Sequence, residues 1–148
     1  MKRLSLAEIA DRMKGIDIAI LSTHTDGGEI ANRPMSNNSD VAYNGDSYFF
    51  TYEKARCVSD IQRNPKVALS YSGEAGIFSG AGIYVAVEGE AELIRDPAAF
   101  QRHWTADLDR WFERGVDTPG LVLIKVKARR ITCWDGGEES EIVLAGAA

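Results

Sequence analysis

Two short runs of this 148-residue chain gather residue types that can hold an anion. One is Asn32-Arg33-Pro34-Met35-Ser36. The other is the run from Phe49 to Arg56, which carries Thr51, Lys54 and Arg56. Arginine offers a planar fork of N–H groups matched to phosphate, and threonine adds a hydroxyl donor. A short helical pattern follows Ala55, so its first amides can aim at the same anion. The same residues also read as a solvated turn, and composition alone weighs the two readings about equally.

The remaining chemistry-bearing residues point elsewhere. His24 sits near a hairpin turn and His103 in a helical pattern beside Trp104. Neither lies near a cysteine or a second histidine, so no zinc site is expected. Glu88, Glu90 and Glu92 share one strand face, which reads as a solvated face more readily than as a ligand set for a hard cation. The glycines between Gly73 and Gly82 spell neither a dinucleotide fingerprint nor a Walker loop. Gly76-Ile77-Phe78-Ser79-Gly80 is not a nucleophile elbow. No residue stands out as a general acid or base, and no catalytic residue is assigned.

The elements that must position the anion-binding set are those of a mixed α+β chain, mainly β. Ser5 and Glu8 have capping-box spacing, and Leu6, Ile9, Ala10 and Met13 recur at helical spacing, predicting a helix over 6–14. Strands are predicted over 16–21, 29–35 and 47–51, the last after the Asn44-Gly45 turn. A short helix stops at Asn64-Pro65. A strand at 67–72, a glycine-rich connector over 73–82 and a long alternating strand through Val85, Val87, Gly89, Ala91 and Leu93 come next. Asp96-Pro97 starts a helical region reaching about Arg114. Strands at 121–127 and 130–134 end the pattern, and residues 137–148 read as a weakly patterned acidic tail. Strands joined by turns, each alternating between faces, favour antiparallel pairing and a closed or partly closed barrel.

Bulk properties narrow the function classes. The length fits a single domain spanning 1–148. A net charge of −5 with scattered cations argues against nucleic-acid binding. No run approaches the ~20 apolar residues of a membrane span, and no signal peptide is visible, so a cytoplasmic protein is expected. Cys57 and Cys133 are then reduced thiols.

The order "RPM", "FFT", a basic turn and "RNPKVALSY", followed by "YVAVEGEAELIRDP", "HWTADLDRWFERGVDTPGLVLIKV" and "ITCWDG", resembles the pyridoxamine 5'-phosphate oxidase-like flavin-binding split barrels. Within them it is most similar to the bacterial general stress protein branch. The resemblance implies a six-stranded antiparallel split β-barrel of Greek-key type with peripheral helices. It implies a homodimer with FMN, or FAD, at each end of the interface. By position it implies that Arg33, Pro34, Met35 and Ser36 run beside the flavin and that Phe50 and Thr51 touch flavin and phosphate. Arg56, assisted by Lys54, would bind phosphate. Trp134 would approach the flavin from the partner subunit, its alternative being a residue of the barrel-end core.

Departures from the pattern matter as much. Vitamin B6 oxidases carry a Lys where this chain has Cys57, and an Arg and a His where it has Ser140 and Ile142. The expectation is therefore a flavin-binding general stress protein, with or without turnover on an unknown small molecule. The alternatives are a true oxidoreductase, either a vitamin B6 phosphate oxidase or a flavin- or deazaflavin-dependent reductase, and a barrel that has lost its cofactor.

Overall fold

A computed structural model describes residues 3–37, 42–73 and 82–144. Helix α1 (Leu6–Met13) begins at the Ser5–Glu8 capping box and buries Ile9, Ala10 and Met13 against the sheet. Strands β1 (Ile18–His24) and β2 (Ile30–Ser36) form an antiparallel hairpin. Strand β3 (Asp46–Tyr52) enters through the Asn44-Gly45 turn, where Gly45 adopts φ 106°, a conformation that disfavours any side chain. Helix α2 (Arg56–Arg63), strands β4 (Lys66–Gly73) and β5 (Ile83–Ile94), and helix α3 (Pro97–His103) follow. Asp96 caps α3 and Pro97 takes its first position, as the sequence predicts. The long strand β6 (Leu121–Asp135) and a short β7 (Glu138–Val143) complete the chain.

All pairings are antiparallel, in the order β2-β1-β4-β5-β6-β3, with β7 added beside β6. The six-stranded barrel expectation therefore needs correction: the sheet has seven strands. Its end strands β2 and β3 touch but do not pair among the described residues. The seventh strand lies in the stretch read as an unpatterned tail. Its charges at Glu138, Glu139 and Glu141 mask a two-residue alternation that turns Ser140 and Ile142 inward. A second correction concerns β6. The two strands predicted at 121–127 and 130–134 are one strand, interrupted by a bulge at Arg129 where Glu88 faces Arg130 and Gly89 faces Ala128. Its first half pairs β3 and its second half pairs β7, with β5 alongside throughout. The helical region predicted to reach Arg114 is also shorter: α3 ends at His103, and 3-10 turns at Ala106–Arg110 and Gly115–Asp117 replace the rest. Between its ends, the connector read over 73–82 lies outside the described residues.

The main core lies between α1, α2 and the inner face of the sheet, around Ile9, Leu21, Phe49, Leu69, Tyr71, Ile124 and Ile131. A smaller core joins β3 and β6 to α3 through Phe50, Phe100, Leu108, Phe112, Leu121 and Leu123. Consecutive residues Leu121 to Ile124 are all buried because this half of β6 runs between the two cores. The opposite face of the sheet is uncovered. Across it, Pro34, Ile20, Ser70, Ala86 and Thr132 stand in register, and the neighbouring positions carry Ile18, Tyr84 and Trp134, all exposed. The row of glutamates on β5 is solvated, as expected: Glu90 pairs with Arg129 at 3.2 Å and Glu88 with Arg130 at 3.9 Å.

Candidate functional site

The turn from β3 into α2 is where the predicted anion set converges. Thr51 ends β3. Ala55 caps α2 without a side-chain hydrogen bond, so the first amides of the helix have no side chain closing them off. Lys54 and Arg56 are exposed in this turn, and among the described residues neither has an ion-pair partner. Glu53, the one acid between Tyr52 and Arg56, is held by a bidentate pair with Arg95. That hydrogen-bonded contact lowers the Glu53 pKa. The local field of the turn is therefore cationic although the chain as a whole is acidic.

Arg33 reaches the same neighbourhood from β2. Strand alternation turns Arg33 and Met35 to the inner face, opposite Leu21 and Ala19 of β1. The Arg33 Nη1 group donates to Thr23 Oγ1 at 2.7 Å and to the Leu21 carbonyl at 3.3 Å. Thr23 in turn donates to Asp60 Oδ2 at 2.8 Å. Asp60, on α2, has a side chain only 2% exposed. It faces Arg33 Nη2 at 3.6 Å and Arg63 Nη1 at 3.6 Å. Cys57, in the first turn of α2 and 3% exposed, sits within the influence of Arg33, Asp60 and Thr51. Burial pushes the Cys57 thiol above its usual pKa, and Asp60 adds to this; the Arg33 cation and the Thr51 contact oppose it. Cys57 is thus a protonated core residue, facing inward behind the basic turn.

The other predicted residues lie apart from this cluster within one chain. Pro34 and Trp134 stand on the uncovered face. Trp134 is therefore not part of the barrel-end core. Met35 is buried in the main core. Phe50 points to the opposite side of β3 from Thr51, with its ring 5.9 Å from Phe100 and 4.9 Å from Trp104. Ser36 lines a separate cavity of about 250 Å³. That cavity also meets Tyr43, Asp46, Tyr48, His103 and Asp107. His103 stacks on Tyr48 at 3.8 Å, and burial lowers its pKa, with Arg102 and Lys125 adding to the effect, so the ring is neutral at pH 7. The Tyr43 hydroxyl is enclosed without a hydrogen bond of good geometry, near a Ser47 Oγ that is 2.8 Å from Tyr71 Oη.

Sequence reading missed Thr23, Asp60 and Arg63. The available signal was the position of Asp60, three residues after Cys57 and beside Ile61, on the stripe of α2 that packs inward. A carboxylate there must find buried partners.

Comparison with known proteins agrees with this architecture. The family described as "Pyridoxamine 5'-phosphate oxidase like" matches residues 5–147. General stress protein 26 of Bacillus subtilis is 28% identical over 97 residues, covering 66% of this chain and 67% of that protein. A solved structure of a protein related to general stress protein 26 from Clostridium acetobutylicum superposes with a TM-score of 0.76 at 16% identity, over 97% of this chain and 96% of that one. A heme binding protein from Mycobacterium smegmatis gives 0.74 at 17% identity, over 97% of this chain and 60% of that one. The two structures share the fold, and with the family matched from residue 5 to residue 147, the chain belongs to the pyridoxamine 5'-phosphate oxidase-like family.

Proposed function

We propose that this chain is an FMN-binding protein of the general stress protein 26 kind, with the flavin phosphate held at the turn between β3 and α2. The observation that carries the reading is the tie of Arg33 on β2 to α2 through Thr23 and Asp60, next to the turn that holds Thr51 and, unpaired among the described residues, Lys54 and Arg56. Lys54 and Arg56 would meet the phosphate from solvent, and Thr51 would donate its hydroxyl. Bound flavin supplies the electron-accepting and electron-donating ring; the chain supplies position and charge.

The reading includes a second copy of the chain. Tyr84 and Trp134 stand side by side on the uncovered sheet face, with Ile18 exposed two strands from Tyr84, and such a face supports pairing with a second copy. Pairing there would bring Trp134 and Pro34 of one copy toward the flavin of the other. Oxidation of vitamin B6 phosphates is not part of the reading. Ser140, at the place of the substrate-gripping Arg, is 4% exposed, and its hydroxyl accepts the Leu4 amide at 3.0 Å. A haem, as named for the mycobacterial relative, needs an axial ligand. The basic turn offers cations for a phosphate and no histidine, and Cys57 behind it is buried, which favours flavin over haem there.

The test is to purify the protein, release any chromophore by heat and identify it by chromatography and mass. FMN at about one per chain is expected. A colourless protein that also fails to bind added FMN or FAD, or one that shows a Soret band, overturns the reading.

A further inference from the structure

We infer that Asp60 is a positioning residue for phosphate recognition: through Thr23 and its own pair with Arg33 it fixes the Arg33 guanidinium at the anion site. The inference rests on the FMN reading above and names a residue that the family resemblance does not assign.

Three elements meet at one buried carboxylate. Asp60 projects from α2 into the space beneath β1 and β2, and its side chain is 2% exposed. One oxygen, Oδ2, accepts the Thr23 hydroxyl at 2.8 Å and faces Arg33 Nη2 at 3.6 Å. The other, Oδ1, faces Arg63 one turn along the helix at 3.6 Å. Thr23, itself 1% exposed, accepts from Arg33 Nη1 at 2.7 Å while donating to Asp60. The chain of donation runs from Arg33 to Thr23 to Asp60. It fixes the direction of the Arg33 fork, since a guanidinium held through Nη1 can present only its remaining N–H groups. A long, flexible cation becomes a pre-oriented donor that loses little freedom on binding an anion. The same carboxylate ties α2, whose first turn carries Arg56, to strand β2, which carries Arg33. Both sides of the anion site thus share one anchor.

The sign of the effect separates this role from two simpler ones. If Asp60 were only a negative charge near the site, removing it would tighten anion binding. If it were only a support for the fold, its removal would alter stability and leave phosphate selectivity alone. Positioning predicts weaker binding of the phosphate specifically.

The experiment measures dissociation constants for FMN and for riboflavin, which lacks the phosphate, by quenching of flavin fluorescence. The proteins are the parent, Asp60→Asn, Thr23→Val, Arg33→Ala, and Arg33→Ala combined with Asp60→Asn. Asp60→Asn and Thr23→Val should each lose about tenfold in FMN affinity, the scale of one misplaced charge-assisted hydrogen bond. Riboflavin affinity should stay within about twofold. In the Arg33→Ala background, Asp60→Asn should cause no further loss. If Asp60→Asn does not fold, Thr23→Val, which keeps the buried charge, decides alone. FMN binding equal to or tighter than the parent in either single variant, or losses that add in the double variant, overturns the inference and leaves the FMN reading standing. A parent that does not prefer FMN to riboflavin overturns both.

Discussion

Gly89 of β5 and Lys127 of β6 approach so closely that a Cβ on Gly89 would stand 2.4 Å from the Lys127 carbonyl oxygen. The contact falls at the bulge, where the extra residue Arg129 bends β6 and brings its backbone onto β5. Backbone on both sides leaves no side chain to move aside. Gly89→Ala should therefore destabilise the protein by about 3 kcal/mol, the upper range for overpacking. A urea midpoint unchanged from the parent would mean that the bulge relaxes at no cost.

Arg33 and Arg56 should separate in their effects. Arg33 neutralises a buried carboxylate, and Arg33→Ala leaves Asp60 with Thr23 and Arg63 alone. A loss of about 2 kcal/mol in folding stability is expected, below the usual cost of orphaning a buried charge because partners remain. Arg56 is exposed, and Arg56→Ala should leave the urea midpoint in place while weakening FMN binding about tenfold. Equal stability of both variants would show that the Asp60 network is not under load.

Alkaline pH should destabilise the fold. Burial pushes Tyr71 up to about 12, against the opposing effect of its hydrogen bond with Ser47. Burial also raises Cys57 and Cys133. An acid whose pKa is higher folded than unfolded stabilises the fold fully below the unfolded value. That stability is lost as pH rises toward the folded one. Unfolding should therefore ease from about pH 9, where free thiols begin to ionise, with a steeper fall above about pH 10 as unfolded tyrosine does. Urea titrations across this range measure it. Tyr71→Phe should flatten the upper part; an identical slope in that variant would remove Tyr71 as the cause.

Cys57→Lys tests the inward placement of that residue. In the oxidases a Lys follows the phosphate-binding Arg, and at an open position a Lys would tighten FMN binding. At 3% exposure, however, the position is closed. The variant should lose stability by about 3 kcal/mol, as a buried cation without a designed partner does. A thiol reagent should label native Cys57 slowly with or without FMN. Rapid labelling of the folded parent would place the thiol at the surface.

The uncovered sheet face should behave as an interface. Tyr84→Glu alters an exposed side chain and should leave the monomer folded while shifting sedimentation from a dimer toward the 16.2 kDa chain. A parent that sediments as a monomer at micromolar concentration removes the second copy from the proposed function.

The local grammar of the chain was readable where one residue type has one physical reason to be there. Ser5 with Glu8, Asn44-Gly45 and Asp96-Pro97 each marked a boundary that the structure places within a residue or two. That Thr51, Lys54 and Arg56 share one turn was readable because they are close in sequence. What escaped was long-range. Arg33, Thr23 and Asp60 meet only when β2, β1 and α2 pack together, and no local pattern announces a carboxylate's distant partner. Phe50 follows the aromatic-Thr motif of the family, yet strand alternation sends it to the far side of β3 from Thr51. The β6 bulge looked like a break because Ala128, Arg129 and Arg130 interrupt an apolar run, and β7 was hidden by its charge.

Strand β6 has a temporal meaning as well as a spatial one. It is the only partner of both β3 and β7 among the described residues, and it lines β5 along its length. Asp46 waits for Lys127, and Tyr52 for Leu121. During synthesis, β3 therefore emerges from the ribosome long before the strand that completes it, with its apolar faces unpaired. Contacts of such sequence separation slow folding and prolong the exposure of unpaired edges. The nascent chain can assemble the β1–β2 hairpin and dock β4 early, but β3 commits only after Lys127 has cleared the exit tunnel. In that interval the Phe49-Phe50 segment is the part of the molecule most in need of a chaperone.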